Sequence, residues 1–290
     1  MAPLYGEPAE PPQPEAAAQA PAAASTPVAY SFGGDAGLVS KYIWRGQRLT
    51  NDWSLQPSGT LQIGNFSFNV WGTMDLLAVN EGDSLPISEN PAAPSGASGL
   101  QGKFSEVDYT FAYSQPVEDV TINAGTIFYT FPERSASLPA TTEIFGGVSL
   151  DAVPLAPAAT LYVDVDETGN AGTTGLYFQL AGGHSVAFTN PRFPGLDFSG
   201  WVAFANSGFG NYYYGDDSAS GIHDVNFTIS APITLGEKWS ASAFVSYSAL
   251  VGDFRDLQYT DPRDVYRGTA GSPAGYADTV WGGVTLSLAF

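Results

Sequence analysis

The chain has 290 residues and a formal net charge of −19, from 10 Lys and Arg against 29 Asp and Glu. Charged residues make up 13% of it, about half of what soluble domains carry, while 44% are hydrophobic and 13% aromatic. The acidic balance excludes nucleic acid as a partner, because phosphate binding needs clustered Lys and Arg. The absence of Cys excludes a disulfide scaffold, a thiolate nucleophile and a cysteine-held metal or cluster.

No run of about 18 apolar residues is present, so a transmembrane helix is excluded. The start lacks a basic n-region and an apolar h-region, and reads as a mature chain with an added Met1. Residues 1–27 hold nine Ala, seven Pro and three Glu, with no Lys or Arg. That composition cannot bury enough apolar surface to offset its ordering entropy, so a flexible, periplasmic Pro/Ala-rich segment is expected.

From residue 28 the texture changes to period-2 alternation between Gly, Pro, Asn and Asp clusters, and 28–290 reads as one domain. Twelve strands are predicted, near 30–47, 53–63, 66–76, 103–115, 119–131, 141–151, 158–166, 174–189, 196–207, 221–233, 237–251 and 277–290. In the first, Tyr30, Phe32, Leu38, Tyr42 and Trp44 share the apolar side. In the eleventh, Trp239, Ala241, Ala243, Val245 and Tyr247 oppose Ser240, Ser242, Ser246 and Ser248. Short turns such as Gly64-Asn65 and Leu235-Gly236 alternate with long connections near 79–102, 208–220 and 252–276. Short turns at one end and long loops at the other are the pattern of an outer-membrane barrel. The polar face is too rich in Ser, Thr, Asn and acids for a dry core. The predicted fold is therefore all-β: a single antiparallel transmembrane β-barrel with both termini periplasmic, in the bacterial outer membrane.

In this reading the apolar side meets lipid, with Tyr30, Phe66, Tyr113, Phe188, Trp239 and Phe290 as interface aromatics at the short-turn end and Tyr42, Trp44 and Trp53 at the other. The polar side lines the pore with Asp35, Lys41, Arg45, Asp75, Glu106, Asp108, Glu143, Asp164, Asp166, Asp197 and Asp224. An acid-lined pore concentrates cations; alternatively, the carboxylates pair with Arg45 and Lys41 or solvate the wall. Twelve strands lie between filled and open barrels, so inward Trp71, Phe244 or Trp281, or an inserted long loop, would decide whether solutes pass.

Catalytic constellations are sparse, and no enzyme activity, cofactor or metal is expected. Adjacent strand residues face opposite ways, so His184 cannot activate Ser185. His223 falls at a loop boundary without an evident partner. Arg45-Gly46 suits either a ligand-binding element or a lumenal ion pair. Asp164-Val-Asp166-Glu-Thr168-Gly169-Asn170 superficially resembles the start of a calcium loop, but Gly175 stands where the bidentate Glu belongs. Asp216 and Asp217 form another acidic loop tip, of the kind that divalent ions bridge to lipopolysaccharide.

The final strand, Val284-Thr-Leu-Ser-Leu-Ala-Phe290, resembles the C-terminal signal of bacterial outer-membrane proteins, and the resemblance implies recognition by the barrel-assembly machinery. The stretch Gly37-Leu-Val-Ser40-Lys-Tyr42-Ile-Trp-Arg45-Gly46, with Gln56-Pro57 and Val70-Trp71-Gly72, resembles an uncharacterised bacterial outer-membrane family opening with Val-Ser-x-Tyr-x-x-Arg-Gly. That likeness covers 28–76 and implies an outer-membrane barrel without an established activity. The expected function is a porin-like channel for passive diffusion of small cationic or neutral solutes. The alternative is a plugged structural or interaction barrel holding a partner through 1–27 or its long loops; a lipid-modifying enzyme ranks third. Expected partners are outer-membrane lipid, lipopolysaccharide and further copies of the chain.

Overall fold

The computed structural model describes residues 29–50, 53–76, 102–132, 140–150, 152–166, 174–257 and 277–290. The segment 1–27 and most of 79–102 and 252–276 lie outside the described residues. The strands are β1 (Tyr30–Val39), β2 (Tyr42–Trp44), β3 (Gln47–Thr50), β4 (Ser54–Ile63), β5 (Phe66–Asp75), β6 (Phe104–Val117) and β7 (Val120–Thr130). They continue as β8 (Thr141–Ser149), β9 (Ala158–Asp164), β10 (Leu176–Asn190), β11 (Phe193–Ala205), β12 (Gly221–Thr234), β13 (Trp239–Leu250) and β14 (Asp278–Ala289). Helix α1 (Ser207–Tyr214) follows β11.

Twelve strands close into a barrel in the order β1-β14-β13-β12-β11-β10-β9-β8-β7-β6-β5-β4. Each is antiparallel to its neighbours, and β1 pairs with both β4 and β14, so the ring has no free edge. The predicted twelve-stranded antiparallel barrel is the fold observed. Alternation does the sorting. Phe32, Leu61, Phe111, Ile144, Leu180, Phe227, Val245 and Leu286 point outward and are exposed, while Trp71, Tyr129, Tyr177, Trp201 and Trp281 point inward and are buried. A large exposed apolar band around a closed sheet is incompatible with water on the outside. It suits a barrel of the outer-membrane type, whose backbone groups are all paired within the ring. The aromatics Tyr30, Phe66, Tyr113, Phe188, Trp239 and Phe290 lie exposed toward the short-turn end, and Trp53, just before β4, lies exposed at the long-loop end. Phe66 and Tyr113 meet across β5 and β6 with ring centroids 4.8 Å apart.

The first predicted strand overruns. It stops at Val39, and 42–50 instead forms a separate β2–β3 hairpin, every residue of which is buried. Tyr42 and Trp44 are therefore not interface aromatics. Both are fully buried inside the barrel, because the chain turns back into the lumen after Ser40-Lys41 rather than continuing up the wall. The tip is the pair Arg45-Gly46, with φ of 45° and 73°. Positive φ at both central positions is the twist of a two-residue hairpin turn that keeps its strands together.

Helix α1 also departs from the expectation of a plain loop at 208–220. Asn206 caps it by accepting from the Phe209 N–H at 3.0 Å, and the same oxygen accepts from the Leu176 N–H at 2.8 Å. Gly215, at φ 72°, ends the helix in the left-handed region. The cap thus ties the helix to β10; its Phe209 and Tyr213 are buried against Trp44 of the hairpin, and Tyr214 is buried against His223 and Phe254.

Candidate functional site

The site is the packed region at the long-loop end of the lumen, where hairpin and helix meet the barrel wall. Trp44 stacks on Phe209 at 6.1 Å and tilts against Tyr213 at 4.9 Å. Tyr42 lies 5.7 Å from Trp71 on β5, and its hydroxyl donates to Glu106 on β6 at 2.9 Å. From there the hairpin reaches the far wall. Arg45 donates through both terminal nitrogens to the two oxygens of Glu143 on β8, each at 2.7 Å, and Tyr129 adds a third bond to that carboxylate at 2.7 Å. The guanidinium carbon stands 4.1 Å from the ring centre of Tyr177, 4.7 Å from Trp44, 4.9 Å from Tyr162 and 5.5 Å from Phe209. All four lie within the range of cation–π attraction. Burial works against the charge on Arg45, but the Glu143 carboxylate more than compensates and raises its proton affinity above the ordinary value.

Gly46 explains why the tip ends where it does. A Cβ there would stand 2.7 Å from the Cβ of Asp224 and 3.0 Å from a Leu250 methyl, on β12 and β13. Gly46→Ala is accordingly expected to loosen the hairpin by about 1–3 kcal/mol, combining a disfavoured φ with overlap. Limited trypsin digestion reads the outcome: the buried bonds after Arg45 and Arg48 should become cleavable while the barrel stays folded.

A second network surrounds Asp224. Its carboxylate accepts from Tyr177 at 2.8 Å and from the Trp201 indole at 2.7 Å, and it pairs with His223 Nδ1 at 2.7 Å. The other ring nitrogen of His223 meets the Tyr214 hydroxyl at 2.9 Å. His223 thus has partners that strict alternation hides. The β11–β12 register shifts so that Ala203 faces Asp224 while Phe204 faces Ile222. This bulge turns two consecutive residues, His223 and Asp224, into the interior. A third cluster ties α1 to the wall: Asp164 accepts from Thr141 and from Tyr213, in each case at 2.9 Å.

Of the residues proposed to line the pore, Arg45, Asp75, Glu106, Asp108, Glu143, Asp164 and Asp224 are buried together at this end. Neither oxygen of Asp108 has a hydrogen-bond partner among the described residues. Asp35 is half-buried on the inner face of β1, where Ser58 donates to it at 3.2 Å. Lys41 is half-buried in the turn before the hairpin. Asp197 sits at the opposite, short-turn end, bonded to Ser185 at 2.5 Å. Asp166 lies beyond the end of β9 and is exposed; its N–H donates to Asp164 at 3.1 Å. His184 points outward, as alternation requires, and pairs across the sheet with Phe198. Asp216 is exposed, and the Ser218 hydroxyl and N–H, at 2.6 and 2.8 Å, hold its carboxyl below the ordinary range. No group of three or more metal-ligating side chains occurs among the described residues.

No protein-family profile matches the sequence, and no curated protein matches it. Among solved structures, the chain is similar to the COG4313 outer-membrane channel from Pseudomonas putida F1, at 10% identity and a TM-score of 0.42, covering 92% of this chain and 97% of that one. It is also similar to the NanC porin, at 8% identity and a TM-score of 0.45 over 89% of this chain and 98% of that one. Salmonella typhi OmpF gives 11% identity and a TM-score of 0.36 over 90% and 97%.

Proposed function

We propose that this protein is a porin-like outer-membrane channel whose outer end is closed by the β2–β3 hairpin, and that it passes small cationic or neutral solutes when the hairpin withdraws. The observation that carries the reading is the two-point bond from Arg45 to Glu143, which pins a hairpin rooted between β1 and β4 to the opposite wall. A barrel that merely needed filling could use apolar side chains; a buried ion pair is instead a contact that competes poorly with water once opened. Withdrawal would leave Asp75, Glu106, Asp108, Glu143, Asp164 and Asp224 around the passage, a field that attracts cations and repels anions.

Planar-bilayer recording across a salt gradient tests this. The unaltered protein should show rare or small steps, Arg45→Ala should show frequent larger ones, and the reversal potential should have the sign of cation preference. Silence of both proteins, or an anion-selective reversal potential, would overturn the proposal. The complete burial of residues 42–50 also favours a second reading, a permanently plugged barrel that serves a partner. That reading predicts no conductance from either protein. In both readings β14 and the Phe290 that follows it form the segment offered to the assembly machinery, and the apolar exterior is offered to lipid, lipopolysaccharide or a second copy.

A further inference from the structure

Arg45 sits in its pocket as a ligand would. The pocket is built almost entirely by other elements: Tyr129 and Glu143 come from β7 and β8, Tyr162 and Tyr177 from β9 and β10, and Phe209 from α1. The hairpin contributes the guanidinium and Trp44. A carboxylate with both oxygens presented in one plane matches a planar fork of two N–H groups and not a spherical ammonium. Aromatic faces cover the guanidinium on several sides, a surrounding that suits a flat, weakly hydrated organic cation. Glu143 would stay oriented without the hairpin, because Tyr129 still donates to it at 2.7 Å. The Nε of Arg45 has no hydrogen-bond partner among the described residues although it is buried. Recognition therefore rests on the terminal fork and the flat faces, both of which a free guanidinium compound also possesses.

We infer that the Glu143–Tyr129–Tyr162–Tyr177–Phe209 pocket is a subsite for guanidinium-bearing solutes, and that Arg45 occupies it in cis as an internal stand-in. A solute carrying this group competes with the hairpin tip for Glu143, so ligand arrival and hairpin release are linked by mass action. The inference deepens the channel reading by naming a solute class, and it rests on that reading only for its physiological meaning. The pocket geometry stands without it.

The test uses Arg45→Ala full-length protein refolded in detergent micelles, with folding checked by heat-modifiable electrophoretic mobility. Isothermal titration with ethylguanidinium chloride, against ethylammonium chloride at matched ionic strength, should show saturable binding of the first. Binding should be about tenfold or more tighter than for ethylammonium, the worth of one charge-assisted hydrogen bond. Adding Glu143→Gln should weaken it by a similar factor, and the unaltered protein should bind more weakly than Arg45→Ala because its own arginine competes. Equal binding of the two cations, no saturable binding, or indifference to Glu143→Gln would overturn the inference. If Arg45→Ala fails to fold, Arg45→Gln, which keeps length and polarity without the charge, takes its place. The titration needs no conductance. Saturable binding with a silent bilayer would therefore sink the channel and keep the subsite, and conductance without binding would do the reverse.

Discussion

Glu143→Ala is expected to destabilise the folded barrel by about 3–5 kcal/mol, because it leaves the Arg45 guanidinium buried without its anion. Removing both partners should hurt less. In Arg45→Met/Glu143→Leu no charge is stranded, and the methionine can lie against Tyr162, Tyr177 and Phe209 as a soft apolar filler. The double variant should therefore unfold within about 1–2 kcal/mol of the unaltered protein, with a strongly non-additive cycle. Urea titration in micelles followed by tryptophan fluorescence measures both values. Equal losses for the single and double variants would mean that the pair adds nothing beyond the volume it fills. The same cycle separates a latch from a filler. If the ion pair serves release, the double variant should be the less conductive of the two, since its hairpin is held by apolar contacts that opening must expose to water.

How much of this was legible before the fold was known depends on the element. The barrel wall is legible because each strand keeps one apolar side toward lipid, while the inner side mixes polar residues with the buried aromatics, and closure requires only that the outer rule hold around the ring. The hairpin is not, because Tyr42 and Trp44 continue the phase of Tyr30 and Leu38. Alternation records which residues share a side and is silent on whether the strand has turned back on itself. The Arg45-Gly46 pair was the available signal: a glycine after a residue able to take positive φ, between aromatic and polar runs, reads as a two-residue turn. Glu106, Asp108, Glu143, Asp164 and Asp224 fall on polar phases near strand ends, which is why alternation places them on the inner side. Alternation leaves open which of these carboxylates meets Arg45, because the partner is set by where the hairpin tip lands. Helix α1 left little trace, since an eight-residue segment of Gly, Tyr, Phe and Asn has weak helix propensity and is held by its Asn206 cap and its packing.

Asp224 carries the other large effect, and it belongs to a bulge that no period-2 reading contains. Its carboxylate serves three donors at once, Tyr177, Trp201 and His223, all within the buried interior. Asp224→Ala keeps the Cβ against which Gly46 packs, so the contact between hairpin tip and β12 survives and the change isolates the hydrogen bonds. Each stranded donor costs about 1–3 kcal/mol, which places the total loss at roughly 3 kcal/mol or more. Asp224→Asn should be milder but still destabilising, because its amide offers one acceptor and brings two donors into a place that already holds three. The consequence runs beyond stability. Tyr177 is also the aromatic face nearest the Arg45 guanidinium, at 4.1 Å, and its hydroxyl is held by Asp224. Freeing that hydroxyl lets the ring tilt, which weakens the cage while leaving the Glu143 bond in place. Asp224→Ala should therefore raise trypsin cleavage after Arg48 in the folded protein, though less than Glu143→Ala does. Loss of stability with no change in cleavage would confine Asp224 to the barrel wall and uncouple it from the hairpin.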